Sequence, residues 1–414
     1  MARILLFSAS VIGLALAGPV QAAPAQSATA AESASAQVTD PPIQLVPRTH
    51  EERERAFHAQ HRVILNVQVT DGLGRPATGL AQGDFAVLDD RRPRSIASFR
   101  ALAGDAPGAH AHVVLVLDAV NSPTSDIGSP RRAIEKYLRQ SRGHLPYPTS
   151  VAVVSQNGTE VSSPSRDTDS LIADLRRFAQ NARGIDCAAQ RNASGDLFGA
   201  AIVTPDWSGF AKSSQDWNEG ECKIRRFKLS VTALDRLVKR QLDEPGRAIM
   251  VWVGAGWPLL DGPAFAGQTI ATRHRFLDYL VELSAAIQQA QVTLDAVTSP
   301  SLLRDAGLRR EAWQPSAPTS QPGPQTSAQP SDEASAVDLS LPALARQSGG
   351  RLLEANKDMA GGIASAVSDA QSYYMLAFDT DPAPTVPGTY RPIEIKVGAA
   401  GLTVRTNTAY YAQP

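Results

Sequence analysis

Residues His112 to Ser122 read HVVLVLDAVNS, and this stretch decides the fold. Its centre, Val113 to Leu117, is five apolar residues without a break. An unbroken run of this length is the mark of a strand covered on both faces, as in the interior of a parallel sheet. The run ends at Asp118, and Ala119, Val120, Asn121, Ser122 and Pro123 have the character of a loop. Ser129 then predicts the cap of a helix that opens at Pro130 and continues RRAIEKYLRQ. A strand that hands an acidic residue to a loop before a helix places it at the carboxyl edge of an open sheet. Such folds keep their sites at that edge.

Outward from this stretch, strands and helices alternate. Val151 to Val154 is a strand, and the Asn157-Gly158 turn predicts an antiparallel hairpin with Thr159 to Ser162. A helix from about Asp167 carries Leu171, Leu175 and Phe178 on one face, and a later one carries Phe227, Val231, Leu234, Val238 and Leu242. Arg247 to Gly254 (RAIMVWVG) is a second buried strand, closed by Ala255, Gly256, Trp257 and Pro258. A helix bearing Phe276, Leu280, Leu283 and Ile287 leads to strand Gln291 to Val297. Helix Leu339 to Ser348, strand Arg351 to Ala355 and helix Lys357 to Gln371 complete the alternation. The pattern predicts an α/β fold: a Rossmann-like, open, mostly parallel sheet with helices on both faces.

The ends of the chain read differently. Val63, Leu65, Val67 and Val69 alternate with Ile64, Asn66, Gln68 and Thr70, the period of a strand, and Asp84 to Leu88 and Ser95 to Arg100 are further strands. Ser372 to Asp379, Tyr390 to Val397 and Leu402 to Asn407 resemble them in length and pattern. We expect the two ends to pair into one β-sandwich that carries the α/β unit as an insert. In Tyr373-Tyr374 and Tyr410-Tyr411, one ring of each pair is expected to face inward. The organisation expected is therefore a signal peptide over 1–22, a polar leader over 23–60, β-strands over 61–105, an α/β domain over 110–371, and C-terminal strands over 372–414. Two polar stretches, 180–222 and 298–336, read as insertions, the second expected to be disordered.

Arg3 followed by the apolar run Ile4 to Ala17, with small residues around Ala22, reads as a secretory signal cleaved after Ala22. No cysteine lies near that point to take a lipid, and no later segment reaches the roughly 18 apolar residues of a membrane span. The expectation is a periplasmic or secreted protein with no integral membrane segment after cleavage. The cysteines, Cys187 and Cys222, would pair as a disulfide in an oxidising compartment. The loop so closed spans 36 residues, worth roughly 3–4 kcal/mol. A formal net charge of -1 supplies no field to draw in nucleic acid. No G-x-S-x-G, P-loop, H-E-x-x-H or dinucleotide fingerprint occurs, and no residue is assigned a catalytic role.

The segments VTDGLGRPATGLAQGDFAVLDD, LVLDAVNS, VWVGAGWPL and SYYMLAF with GTYRPIEIKV and RTNTAYYA resemble the exported bacterial "VWFA-related" proteins described from acidobacteria. These are a subgroup of von Willebrand factor type A domain proteins. The resemblance covers roughly residues 60 to 412 apart from the two insertions. It implies a type A-like fold and a role in binding another protein or a cell-envelope component at the sheet's carboxyl edge. In that family the edge holds Mg²⁺ through an Asp-x-Ser-x-Ser loop, a Thr and a second Asp, all hard oxygen ligands. Here Asp118 and Ser122 match the first loop, Thr168 is the candidate threonine, Val120 replaces the middle serine, and Gly254-Ala255-Gly256 stands where the second Asp belongs. The resemblance therefore implies a degenerate metal site on Asp118, Ser122 and Thr168, with no cofactor required. The binding edge would comprise Asp118, Asn121, Ser122, Thr168, Gly254 and Trp257. The residues alone also admit a structural reading, with Asp118 bonding backbone N–H groups and Trp257 packing over a tight glycine turn. Two other uses of the same edge stay open: a hydrolase or small-ligand site, and a purely structural scaffold.

Overall fold

A computed structural model describes residues 62–103, 110–122, 127–185, 217–244, 246–257, 270–305, 340–355, 357–380 and 389–412. The stretches expected to be signal peptide and leader lie outside the described residues, as does Cys187 and with it the expected disulfide.

The run Val113 to Leu117 becomes the core of β5 (Ala111–Asp118), every residue of which is buried. Its side chains divide between two apolar clusters. Val114 and Val116 join Phe227, Leu234, Val238, Trp252, Leu283 and Leu344 on one face. Val113, Leu115 and Leu117 join Ile134, Leu138, Leu171, Phe178 and Ile363 on the other. The unbroken apolar run is thus the cost of having no solvent face; each side chain buried contributes roughly 1.5–3 kcal/mol.

Around β5 lie β6 (His144–Ser155), β7 (Gly158–Val161), β8 (Ser165–Asp167), β9 (Arg247–Val253), β10 (Val292–Thr298) and β11 (Leu352–Glu354). The sheet order is β11-β10-β9-β5-β6-β7, with β8 also on β6. The β5·β6, β5·β9, β9·β10 and β10·β11 pairs are parallel, whereas β7 and β8 run antiparallel to β6. One face is covered by α1 (Gly128–Gln140), α2 (Thr168–Gln180) and α7 (Met359–Val367). The other is covered by α3 (Trp217–Gln241), α4 (Ile270–Gln289) and α6 (Leu341–Gln347), while α5 (Pro300–Asp305) follows β10. This is a Rossmann-like α/β fold. The chain leaves β5 towards β6 and later returns on β5's other flank as β9, so the strand order reverses between β5 and β9. The carboxyl ends of those two strands therefore frame the crevice at the switch point.

The remaining strands form two four-stranded sheets. One has β14 (Thr403–Arg405), β1 (Arg62–Thr70), β12 (Ser372–Asp379) and β4 (Ile96–Ala103) in that order; the other has β15 (Ala409–Tyr411), β13 (Tyr390–Val397), β2 (Phe85–Asp89) and β3 (Arg92–Arg94). N- and C-terminal strands pair directly: Leu65 opposes Leu376, and Val87 opposes Ile395. Val63, Leu65, Val67 and Val69 meet Phe85, Val87, Leu376, Phe378, Ile393 and Ile395 in a third apolar cluster, the sandwich core. Asp89 is fully buried there, held by Arg391 at 2.9 Å through both nitrogens, by Arg94 at 3.0 Å and by the Tyr410 hydroxyl at 3.2 Å.

Several boundaries differ from expectation. Helix α1 starts at Gly128, so Ser129 lies inside its first turn rather than capping it. Within 180–222, Ala182 and Ile185 are buried, and α3 begins at Trp217. In 298–336, Thr298 still belongs to β10, and α5 follows with Leu302 and Leu303 buried. The last helix closes at Val367 and passes into a 3₁₀ turn, Ser368–Ala370. Both rings of each tyrosine pair are buried, correcting the expectation of one in and one out. The reason is position: Tyr374 and Tyr410 enter the sandwich core, Tyr411 joins the α/β core, and Tyr373 lies under the Arg247 guanidinium at 4.7 Å.

That last contact belongs to a polar seam between the sandwich and the amino ends of β9 and β10. Arg247 Nη1 donates to the Asp369 carbonyl at 3.2 Å and Nη2 to Thr293 Oγ1 at 3.0 Å, while Gln68 Nε2 also donates to the Asp369 carbonyl. The Asp369 carboxylate pairs with Arg351 at 3.3 Å and Arg405 at 2.8 Å. Fully buried Asp295 accepts the Arg351 backbone N–H at 2.7 Å through Oδ1, and its Oδ2 is buried without a hydrogen-bond partner. Gln68 is therefore buried although it alternates with the core-facing residues of β1, and Asn66 on the same face is buried as well. Among the described residues no helix is long and apolar enough to cross a membrane.

Candidate functional site

Asp118 ends β5 with its side chain on the α3 side of the sheet, since it follows Leu117 of the opposite cluster. It is 0 % exposed. Its Oδ1 accepts the Asn121 backbone N–H at 3.0 Å and Asn121 Nδ2 at 3.1 Å. Its Oδ2 accepts Trp252 Nε1 at 3.0 Å, the Gly256 N–H at 3.1 Å and Asn121 Nδ2 at 3.0 Å. Three segments thus converge on one carboxylate: its own loop, strand β9, and the turn that leaves β9. All the donors are neutral. Burial outweighs them and holds the carboxyl above the ordinary carboxylate value.

The surrounding chain is shaped to this contact. A Cβ on Gly254 would lie 2.6 Å from Asp118 Cβ, so only glycine lets the β9 exit turn come this close. Trp257, 2 % exposed, closes the turn and packs edge-on against Trp252 with centroids 5.1 Å apart. From the other flank, the Ile185 N–H donates to the Val120 carbonyl at 3.2 Å. A Cβ on Gly184 would meet the Ser122 carbonyl oxygen at 2.3 Å, so this loop also lies directly on the Asp118 loop. Asn121 Nδ2 reaches Ser230 Oγ of α3 at 2.9 Å, and Ser122 Oγ donates back to the Asp118 carbonyl at 2.6 Å.

Of the residues named from sequence, Asp118, Asn121, Ser122, Gly254 and Trp257 gather at this one edge. Thr168 does not. It opens α2 directly after β8, and β8 pairs Asp167 with His144 at the start of β6, whereas Asp118 pairs with Val154 near its end. At about 3.3 Å per residue, that run of β6 separates Thr168 from Asp118 by roughly 30 Å. The hairpin carries the chain back down the sheet, so the threonine starts its helix at the amino edge. Val120 is turned into the apolar cluster and faces no site. Gly256 was read from sequence only as part of the glycine turn, and Trp252 and Ser230 were not singled out for the site. Trp252 carried a usable signal, because a buried indole N–H requires an acceptor.

These residues do not fit a divalent cation. Mg²⁺ requires oxygen ligands with open lone pairs in octahedral array. The Asp118 carboxylate has about four lone-pair sites and five N–H contacts upon them, the Ser122 hydroxyl is engaged with a carbonyl, and Thr168 stands at the opposite edge. Among the described residues no group of three or more His, Cys, Asp or Glu side chains could hold a metal.

No protein-family model and no curated protein matches the chain. Among solved structures it is similar to the manganese-loaded TRAP protein of Plasmodium vivax, at 10% identity over 75% of this chain and 96% of that one, with a TM-score of 0.30. It is also similar to BatB, a conserved hypothetical protein from Bacteroides thetaiotaomicron, at 10% identity over 63% and 98%, with a TM-score of 0.29. The SpRpn10 VWA domain matches at 14% identity over 50% and 95%, with a TM-score of 0.19. These likenesses are slight. The site rests on its own residues.

Proposed function

We propose that the chain is an exported, non-enzymatic interaction protein that docks another protein or a cell-envelope component at the carboxyl edge of its parallel sheet. One observation carries this reading: the crevice at the switch point, where open α/β sheets hold small ligands, is filled from within. Asp118 is 0 % exposed and Trp257 2 %, and the intervening glycine turn leaves no room for a side chain, let alone a substrate. A filled crevice supports contact with a large partner across the outer rim rather than chemistry inside it. The sequence resemblance to type A domains supports the same assignment, and the signal-like N-terminus supports export.

Asn157, Asn181 and Arg183 are exposed on the rim beside this edge, where Gln156 N–H donates to the Arg183 carbonyl at 3.0 Å. A photo-crosslinking residue placed at Asn157 or Arg183 in cells should trap a discrete adduct. The same residue at Arg166, exposed at the amino edge, should not. Equal labelling from both edges would remove the reason for placing the partner here. Turnover of a small substrate, abolished by substitution at the edge, would favour the hydrolase alternative.

A further inference from the structure

We infer that Asp118 is a positioning carboxylate at the centre of a metal-free clamp, which locks the carboxyl edge without any divalent cation. The inference shares its location with the docking proposal, but its test reads no partner, so either can fail alone. The geometry is that of a hub. The Asp118 side chain gathers N–H donors from its own loop (Asn121), from β9 (Trp252) and from the β9 exit turn (Gly256). Asn121 extends the hub to α3 through Ser230, whose Oγ in turn donates to the Arg226 carbonyl at 2.8 Å. Arg226 Nε then donates to the Ile185 carbonyl at 3.0 Å, and Ile185 N–H returns to Val120. The circuit is closed: loop, helix, loop, loop.

A cation placed at Asp118 would have to break that circuit. It would displace the Trp252 indole N–H and the Gly256 N–H from Oδ2, or the Asn121 backbone N–H from Oδ1, each then buried without this acceptor. The buried oxygen of this cluster that lacks a partner is Asn121 Oδ1, and a single neutral carbonyl oxygen is no coordination sphere. Gly254 makes the same point sterically. The position from which a second acidic ligand would reach over has its backbone against Asp118 Cβ, with no space for a side chain. Where a metal would join these segments through oxygen ligands, the carboxylate joins them through N–H groups.

The two arrangements respond oppositely to manganese and to Asp118→Asn. Of the chain's five tryptophans, Trp252 has its indole N–H on the carboxylate itself. In the full chain labelled with ¹⁵N and assigned by Trp252→Phe, the Trp252 indole signal should persist in millimolar Mn²⁺, because no paramagnetic ion sits beside it. Selective loss of that signal at low Mn²⁺ would overturn the clamp. In chelator, Asp118→Asn sets an amide N–H₂ against N–H donors and should lower Tm by about 2–6 °C. Unchanged metal-free stability in that variant would also overturn the clamp, since a vacant metal site loses nothing with its charge. Should Asp118→Asn fail to accumulate as folded protein, the manganese experiment on the native chain decides alone.

Discussion

Replacing Asp295 by asparagine should remove a pH dependence that the polar seam builds into the stability of the molecule. Burial, reinforced by the Asp369 carboxylate, pushes Asp295 up to about 7 from 3.8 against the pull of Arg351 and Arg405. The folded state therefore keeps a proton that the unfolded chain releases near pH 4. Between those limits the unfolded state binds fewer protons than the folded one, so this group's contribution to stability falls as pH rises and levels off above about 7. At 1.36 kcal/mol per pH unit, the rise of some three units corresponds to at most about 4 kcal/mol. Asparagine keeps an oxygen for the Arg351 N–H at 2.7 Å and carries no charge at any pH. Urea unfolding of both proteins from pH 4 to 8 tests this, the difference between them cancelling the titration of other carboxylates. Asp295→Asn should match the native protein at the acid end and exceed it increasingly towards pH 8. If the variant instead loses stability as pH rises, the ionised carboxylate is held by Arg351 and Arg405 more strongly than burial opposes it, and the reasoning is wrong.

Three further substitutions probe the packing. Gly254→Ala would force a Cβ to within 2.6 Å of Asp118 Cβ and should cost about 2 kcal/mol or more in urea unfolding; a loss under about 0.5 kcal/mol would mean that the turn is not pinned. Asp89→Ala strands Arg94 and Arg391, each 14% exposed, beside an empty site in the sandwich and should cost about 3–5 kcal/mol, read the same way. Val120→Ser restores the serine of the type A pattern but turns its hydroxyl into the apolar cluster; calorimetry should show about 1–3 kcal/mol of lost stability and no heat of Mg²⁺ binding.

Much of the architecture was legible in the sequence because hydrophobic periodicity is a local property. The continuous apolar runs of β5 and β9 could only be strands with both faces covered, and the alternation in Val63 to Val69 could only present one apolar face. The edge position of Asp118 followed from the change of texture after Leu117. What failed were positions whose environment is set by distant chain. The tyrosine pairs looked half-exposed because their second faces are covered by Arg247 and α4, elements more than a hundred residues away in sequence.

For the site itself, the sequence determined which residues lie on the loop after β5 and on the turn after β9, since connectivity alone puts them at strand ends. Only the tertiary structure decided what those residues do. Strand order set β9 beside β5, so the indole of Trp252 and the amide of Gly256 reached the Asp118 carboxylate and filled its lone pairs. Strand direction carried Thr168 to the far edge, because the hairpin after β6 reverses the chain and spacing along a sequence records no such reversal. Hydrogen-bond capacity is finite and is used by whatever the fold brings within 3 Å or so. A carboxylate's role is therefore fixed by its neighbours in space.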